Sequence, residues 1–105
     1  MRVGFLTADS AGIYSRLAKS HDDVKFLVIY DIRTVDKFNE MIDVVPVEGS
    51  YEKIIKLAQD GSVPVVAMAF LDEVFIKEAA AYGLGVFVGL GKERISDIIY
   101  SVGGG

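Results

Sequence analysis

Residues 24–30 read Val24-Lys25-Phe26-Leu27-Val28-Ile29-Tyr30, and residues 43–47 read Asp43-Val44-Val45-Pro46-Val47. The first is among the most apolar runs in the chain, as suits a strand buried on both faces. The second is short and carries Pro46, which cannot donate a ladder hydrogen bond and is normally confined to edges or bulges. Strand two therefore belongs inside the sheet and strand three at its rim. Of the two common five-strand arrangements, 2-1-3-4-5 makes strand two an edge, whereas 3-2-1-4-5 makes strand three one. The order 3-2-1-4-5 is preferred.

Similar apolar runs lie on either side, at Arg2–Thr7, Val63–Phe70 and Gly85–Val88. Segments with helical spacing separate them. Tyr51, Ile54, Ile55 and Ala58 fall at i, i+3, i+4 and i+7, as do Ile95, Ile98, Ile99 and Val102. Ile13, Leu17 and Ala18 form a shorter stripe, as do Val35, Phe38 and Ile42, and a further helix is expected over 72–82. Ser10, Thr34, Ser50 and Asp72 stand where N-caps would, and Gly61 and Gly83 where left-handed glycines would end helices. The expected fold class is α/β: a three-layer Rossmann-like or flavodoxin-like domain with a five-stranded parallel sheet. One domain over 1–105 is expected, with 103–105 as a disordered tail.

Composition narrows the function classes. The chain has 105 residues, 11 Lys+Arg, 15 Asp+Glu, one His and no Cys, with a net charge of −4. That balance, with no basic run, argues against a nucleic-acid partner. The missing Cys removes disulfides, thiol nucleophiles and Cys-ligated metal, and no metal site is expected. No apolar stretch is long enough to span a membrane and no signal peptide is read, so a cytoplasmic location is expected. One Asn and one Gln (Asn39 and Gln59) are few for this length, as in thermophile proteins.

Ligands of open parallel sheets sit beyond the strand carboxyl ends, at the switch point of strand order. The candidate ligand residues are therefore Asp9, Ser10, Ala11 and Gly12 after strand one, Asp31 after strand two, and Phe70 and Asp72 after strand four. Ser10–Gly12 would supply free N–H groups and the positive end of a helix dipole to a phosphate. The reading beside it is that Ser10 or Asp9 simply caps the helix, since no G-x-G-x-x-G or Walker A pattern occurs. Asp9, Asp31, Glu48 and Asp72 could gather there with Lys92, and a carboxylate pair could hold Mg²⁺ through oxygens and water. His21 is expected in a surface turn at the opposite end of the sheet. No nucleophile elbow exists and the lone His is badly placed, so catalysis by the chain alone is poorly supported.

The expected helix over 72–82 is apolar around most of its turn. Phe70, Leu71, Val74, Phe75 and Ile76 are the candidate interface, most simply of a homodimer, unless the helix is deeply buried.

Two family resemblances exist. Asp43–Val47 followed by Ser50 and Tyr51, and Gly83-Leu84-Gly85-Val86-Phe87-Val88-Gly89 with Lys92 and Ile95, resemble parts of the N-terminal domain of ATP-grasp enzymes. Biotin carboxylase and glycinamide ribonucleotide synthetase carry that domain. Leu90 stands where the family has proline, and the glycine-rich first loop is missing. The resemblance implies a substrate-side binding domain standing alone, without ligase activity. Lys92 and Asp9 also resemble residues of response-regulator receiver domains. Glu48 replaces the phosphorylated aspartate, and Ala69 and Phe70 lie where a hydroxyl is needed. That resemblance implies a protein-interaction module unable to accept a phosphoryl group. The expected function is thus a stand-alone domain that binds a nucleotide or phosphorylated metabolite. The alternative is a regulatory interaction module.

Overall fold

The computed structural model of the protein describes residues 1–32, 39–47 and 50–103. Five strands, β1 (Arg2–Thr7), β2 (Phe26–Ile32), β3 (Asn39–Pro46), β4 (Val65–Met68) and β5 (Gly85–Val88), form one sheet in the order β3-β2-β1-β4-β5. Three helices, α1 (Tyr51–Asp60), α2 (Glu73–Ala81) and α3 (Ile95–Gly103), complete it. Pro46 lies on the edge strand β3, opposite Phe26.

The expected all-parallel sheet is corrected. β1 runs parallel to β4, and β4 to β5, but β2 is antiparallel to both β1 and β3. Chain length is the physical cause. Only positions 33–38 separate β2 from β3, and a parallel crossover needs a dozen or more residues. The register slips between Ile29, opposite Asp43, and Tyr30, opposite Met41, so Ile42 is the extra residue of a bulge. Ile42 therefore belongs to β3 and to no helix. Val35, Phe38 and the expected cap Thr34 lie outside the described residues.

The helix expected around Ile13–Ala18 is absent as well. Residues 8–25 carry two single 3-10 turns, Gly12–Tyr14 and His21–Asp23, with an extended stretch between them. Leu17 bridges Thr7, the Ala18 N–H donates to the Leu6 carbonyl, and the Ala8 N–H donates to the Arg16 carbonyl. Leu17 is buried against the α3 face of the sheet and Ala18 against the other. That is the two-residue alternation of extended chain, which a three-residue apolar stripe imitates. Asp23 clamps the loop, accepting from the Lys19 N–H at 3.0 Å and from Arg16 Nη1 at 3.2 Å. Those partners hold its carboxyl below the usual range, the Lys19 bond most of all.

Two apolar layers cover the sheet. On one face Leu6, Leu27, Val66 and Met68 pack with Ile54, Ile55 and Ala58 of α1 and Phe75 and Ala79 of α2. On the other, Phe5, Val28, Tyr30 and Ala67 pack with Ile95, Ile98 and Ile99 of α3. Ser50 caps α1, accepting from the Lys53 N–H, and Asp72 caps α2, accepting from Val74 and Phe75. Gly83 is left-handed at φ +74°, as expected. Gly61 is not: its φ is −87°, and Ser62 at +56° makes the left-handed step instead. Gly103 closes α3 rather than opening a tail, and residues 104–105 lie outside the described set. No described helix is long and apolar enough to cross a membrane.

Candidate functional site

β1, β3, β4 and β5 point the same way, so their carboxyl ends share one rim of the sheet. The N-termini of α1 and α2 open there, and β2 begins there, with Phe26 opposite Thr7. Reversal of β2 redistributes the expected site residues. Asp31 is carried to the opposite rim, opposite Arg2, where its carboxylate meets the Met1 amine at 3.1 Å. Conversely, the turn holding His21 is brought to the carboxyl rim.

The loop after β1 does not open the α-helix that the expected phosphate site relies on. In place of a helix N-terminus stands the 3-10 turn Gly12–Tyr14, with Gly12 at φ +60°. The Ala11 N–H donates to Ser15 Oγ at 2.9 Å, and Ser15 Oγ donates to the Gly12 carbonyl at 2.7 Å. Asp9 Oδ1 accepts from the Arg16 N–H at 2.7 Å, so its carboxylate fastens the loop. Ser10 and Ala11 are exposed beside it. The Ala11 N–H is thus spent within the loop, and no α-helix macrodipole stands behind these residues. Glu48 lies outside the described residues. No three His, Asp or Glu side chains assemble as a metal site among those described.

What does converge is a different set. Tyr51, the first residue of α1, donates its hydroxyl to Asp72 Oδ2, while Asp72 Oδ1 accepts from the Val74 N–H at 3.0 Å and the Phe75 N–H at 3.2 Å. The His21 ring lies on Tyr51 with centroids 4.2 Å apart and planes 32° apart. Tyr51 in turn meets Phe75 at 4.8 Å. The phenol hydrogen bond, the two capping N–H groups and the nearby imidazole hold the Asp72 carboxyl below its ordinary value. Burial, and then Asp72 itself, push the Tyr51 phenol well above its own. At neutral pH the cluster is a fixed carboxylate with a fixed phenol donor, roofed by an exposed imidazole. Phe70 is half-buried, packed against the α1–α2 core.

Of the ligand residues expected from sequence, Asp72 belongs to this cluster, Phe70 packs on the α1–α2 core, Asp9 to Gly12 lie in the loop after β1, and Asp31 is elsewhere. The sequence reading missed Tyr51, which fell in the apolar stripe of its helix. Its signal was a hydroxyl one residue after an N-cap, at the strand-to-helix turn. The apolar patch is also redrawn. Phe75 is fully buried and Ile76 half-buried, whereas Leu71 and Val74 are exposed at 61% and 62%. Phe75 is a core residue.

A second concavity lies at the far rim, on the α3 face. Its volume is about 530 Å³, and Val3, Val65, Ala67 and Gly85 of the sheet line it with Ile98 and Ile99 of α3.

No protein-family model matches the chain, and no curated protein is significantly similar to it. Solved structures are similar in fold, among them the following three. The crystal structure of PH0822 matches with a TM-score of 0.74 at 25% identity, over 99% of this chain and 90% of that one. The apo form of the orange protein from Desulfovibrio gigas gives 0.69 at 14%, over 98% and 88%. A putative NifB protein from Thermotoga, of the DUF35 family, gives 0.63 at 14%, over 96% and 84%. At 14% identity the likeness is one of fold alone. None of the three is described as an ATP-grasp or a receiver domain, and the mixed sheet departs from the alternating strand–helix pattern behind both resemblances.

Proposed function

We propose that this chain is a small-ligand-binding domain whose ligand carries a planar ring, such as a nucleobase, and lies on His21 at the strand carboxyl rim. The observation that carries the reading is the meeting of His21, Tyr51 and Asp72, three residues far apart in sequence, in one stacked cluster. An exposed imidazole already backed by a second ring is a stacking platform with its orientation fixed. Asp72 beneath it is ionised and Tyr51 is protonated, so neither has a proton affinity suited to general acid–base work near pH 7. Binding is the chemistry such a cluster supports. A nucleotide would be recognised here by its ring rather than its phosphate, because Ser10–Gly12 offer no helix N-terminus.

Thermal-shift and NMR titrations with adenosine, guanosine, their monophosphates and ribose 5-phosphate test this. Ring-bearing ligands should raise Tm and move Tyr51 and His21 resonances, and His21→Ala should abolish both effects while leaving the chain folded. A response to ribose 5-phosphate alone, unchanged by His21→Ala, would overturn the reading.

A second reading, a protein-interaction module, is favoured by the exposure of Leu71 and Val74 on the same rim. Self-association that is lost in Leu71→Asp and Val74→Asp, with no response to any ring-bearing ligand, would select it.

A further inference from the structure

The far-rim concavity is lined by apolar residues. On the α3 face, Ala67 lies on the floor with Val3 and Val65, and Gly85 contributes no side chain at all. Ile98 and Ile99 of α3 bound one side, each only 3% exposed, so α3 is seated on the sheet and the concavity lies beside it, open to solvent. Phe87, 40% exposed, forms the outer wall on edge strand β5. About 530 Å³ far exceeds the voids of a packed interior and falls within the range of small-molecule sites.

Its chemistry is one-sided. No Asp, Glu, Lys, Arg or His side chain lines it among the described residues, and the amine of Met1, which does line it, is paired with Asp31 at 3.1 Å. Water inside would find few of the partners it needs, and a charged ligand group would be desolvated without compensation. We propose that this cavity is a second ligand site, separate from the His21–Tyr51–Asp72 cluster, and that it takes an uncharged apolar molecule the size of a fused ring or a short acyl chain. Its eleven described lining residues are about half of the 20–30 a side that a stable protein interface uses, which favours a small molecule over a second copy of the chain. The site does not depend on the function proposed for the carboxyl rim, since the two lie at opposite ends of β1.

N-phenyl-1-naphthylamine, an uncharged dye that fluoresces in apolar surroundings, tests the proposal on the full chain, with light scattering run in parallel. The dye should saturate at one molecule per chain. Ala67→Leu fills the floor, and Val65→Phe fills the same space from a half-exposed position that tolerates the larger ring. Whichever variant keeps its far-UV circular dichroism should bind the dye at least about tenfold more weakly. His21→Ala should bind it as the parent does. No saturable uptake, or full uptake by a folded filled variant, would sink the proposal. So would a dimer that takes up dye only on dilution to monomer, since a second copy would then occupy the cavity.

Discussion

Asp72 performs two tasks with two oxygens. One caps α2 through the Val74 and Phe75 N–H groups, and the other accepts the Tyr51 hydroxyl, so a single carboxylate ties the first turns of α1 and α2 together. Removing the hydroxyl leaves the cap intact, and Tyr51→Phe should cost about 1 kcal/mol, as expected for a partly exposed hydrogen bond to a charge. Urea denaturation at pH 7 measures it. The pH dependence has a definite sign. The folded carboxyl lies below its unfolded value, so its contribution is complete above the ordinary carboxylate range and is lost as pH falls through the folded value. Tyr51→Phe should flatten that acid limb, and an unchanged limb would show that the phenol does not hold Asp72. The phenol has the opposite sign. Its folded value is raised, so its contribution is complete below the ordinary tyrosine range and fades only as pH rises through the folded value. Gly83 was legible beforehand. Its φ of +74° with open space around a would-be Cβ means that Gly83→Ala should cost about 1–2 kcal/mol, from backbone strain alone. Tyr51 was not legible as a site residue, because its partner is 21 positions away and only the packing of α1 on α2 joins them.

At the scale of elements, direction was harder to read than identity. Leu27 and Ile29 face the α1–α2 layer while Val28 and Tyr30 face α3, so β2 is apolar from Phe26 to Tyr30. Continuous apolarity reports burial on both faces, and a strand so buried can run either way. The short connection at 33–38 decides it instead. The edge position of β3 was legible because Pro46 removes a donor, a local property that survives reversal of the strand. The stretch Ser15–Ala18 was misread because Ile13, Leu17 and Ala18 suit a helix over a window too short to separate periods of 2 and 3.6. That stretch is structural, with Leu17 1% exposed. Leu17→Ala should cost about 2–5 kcal/mol, as removal of a buried leucine does. Tyr14, exposed in the neighbouring 3-10 turn, should tolerate alanine within about 0.5 kcal/mol. Equal effects at the two positions would mean that the 8–25 excursion is not docked as described.

The whole molecule divides into two ends. The carboxyl rim holds the polar aromatic cluster and the exposed Leu71 and Val74, and the far rim holds the apolar cavity. Phe75→Asp separates a core role from an interface role at this scale. A buried unpaired carboxylate should abolish cooperative unfolding altogether, not convert a dimer into a folded monomer. Val74→Asp, by contrast, should leave Tm nearly unchanged. A folded monomeric Phe75→Asp chain would contradict the core assignment.

The strand that opened the sequence reading, Phe26–Tyr30, marks the division between sequence and fold. Sequence alone determined that it is buried on both faces, and it favoured an edge position for the Pro46 strand and the order 3-2-1-4-5 over 2-1-3-4-5. Those are properties of side chains and of a missing N–H, and they are local. Only the tertiary structure decided that β2 runs backward, that His21 therefore arrives at the carboxyl rim, and that Asp31 leaves it. Strand direction is set by how far the chain between strands must travel, and a reversal moves every residue at one end to the other without changing a single side chain.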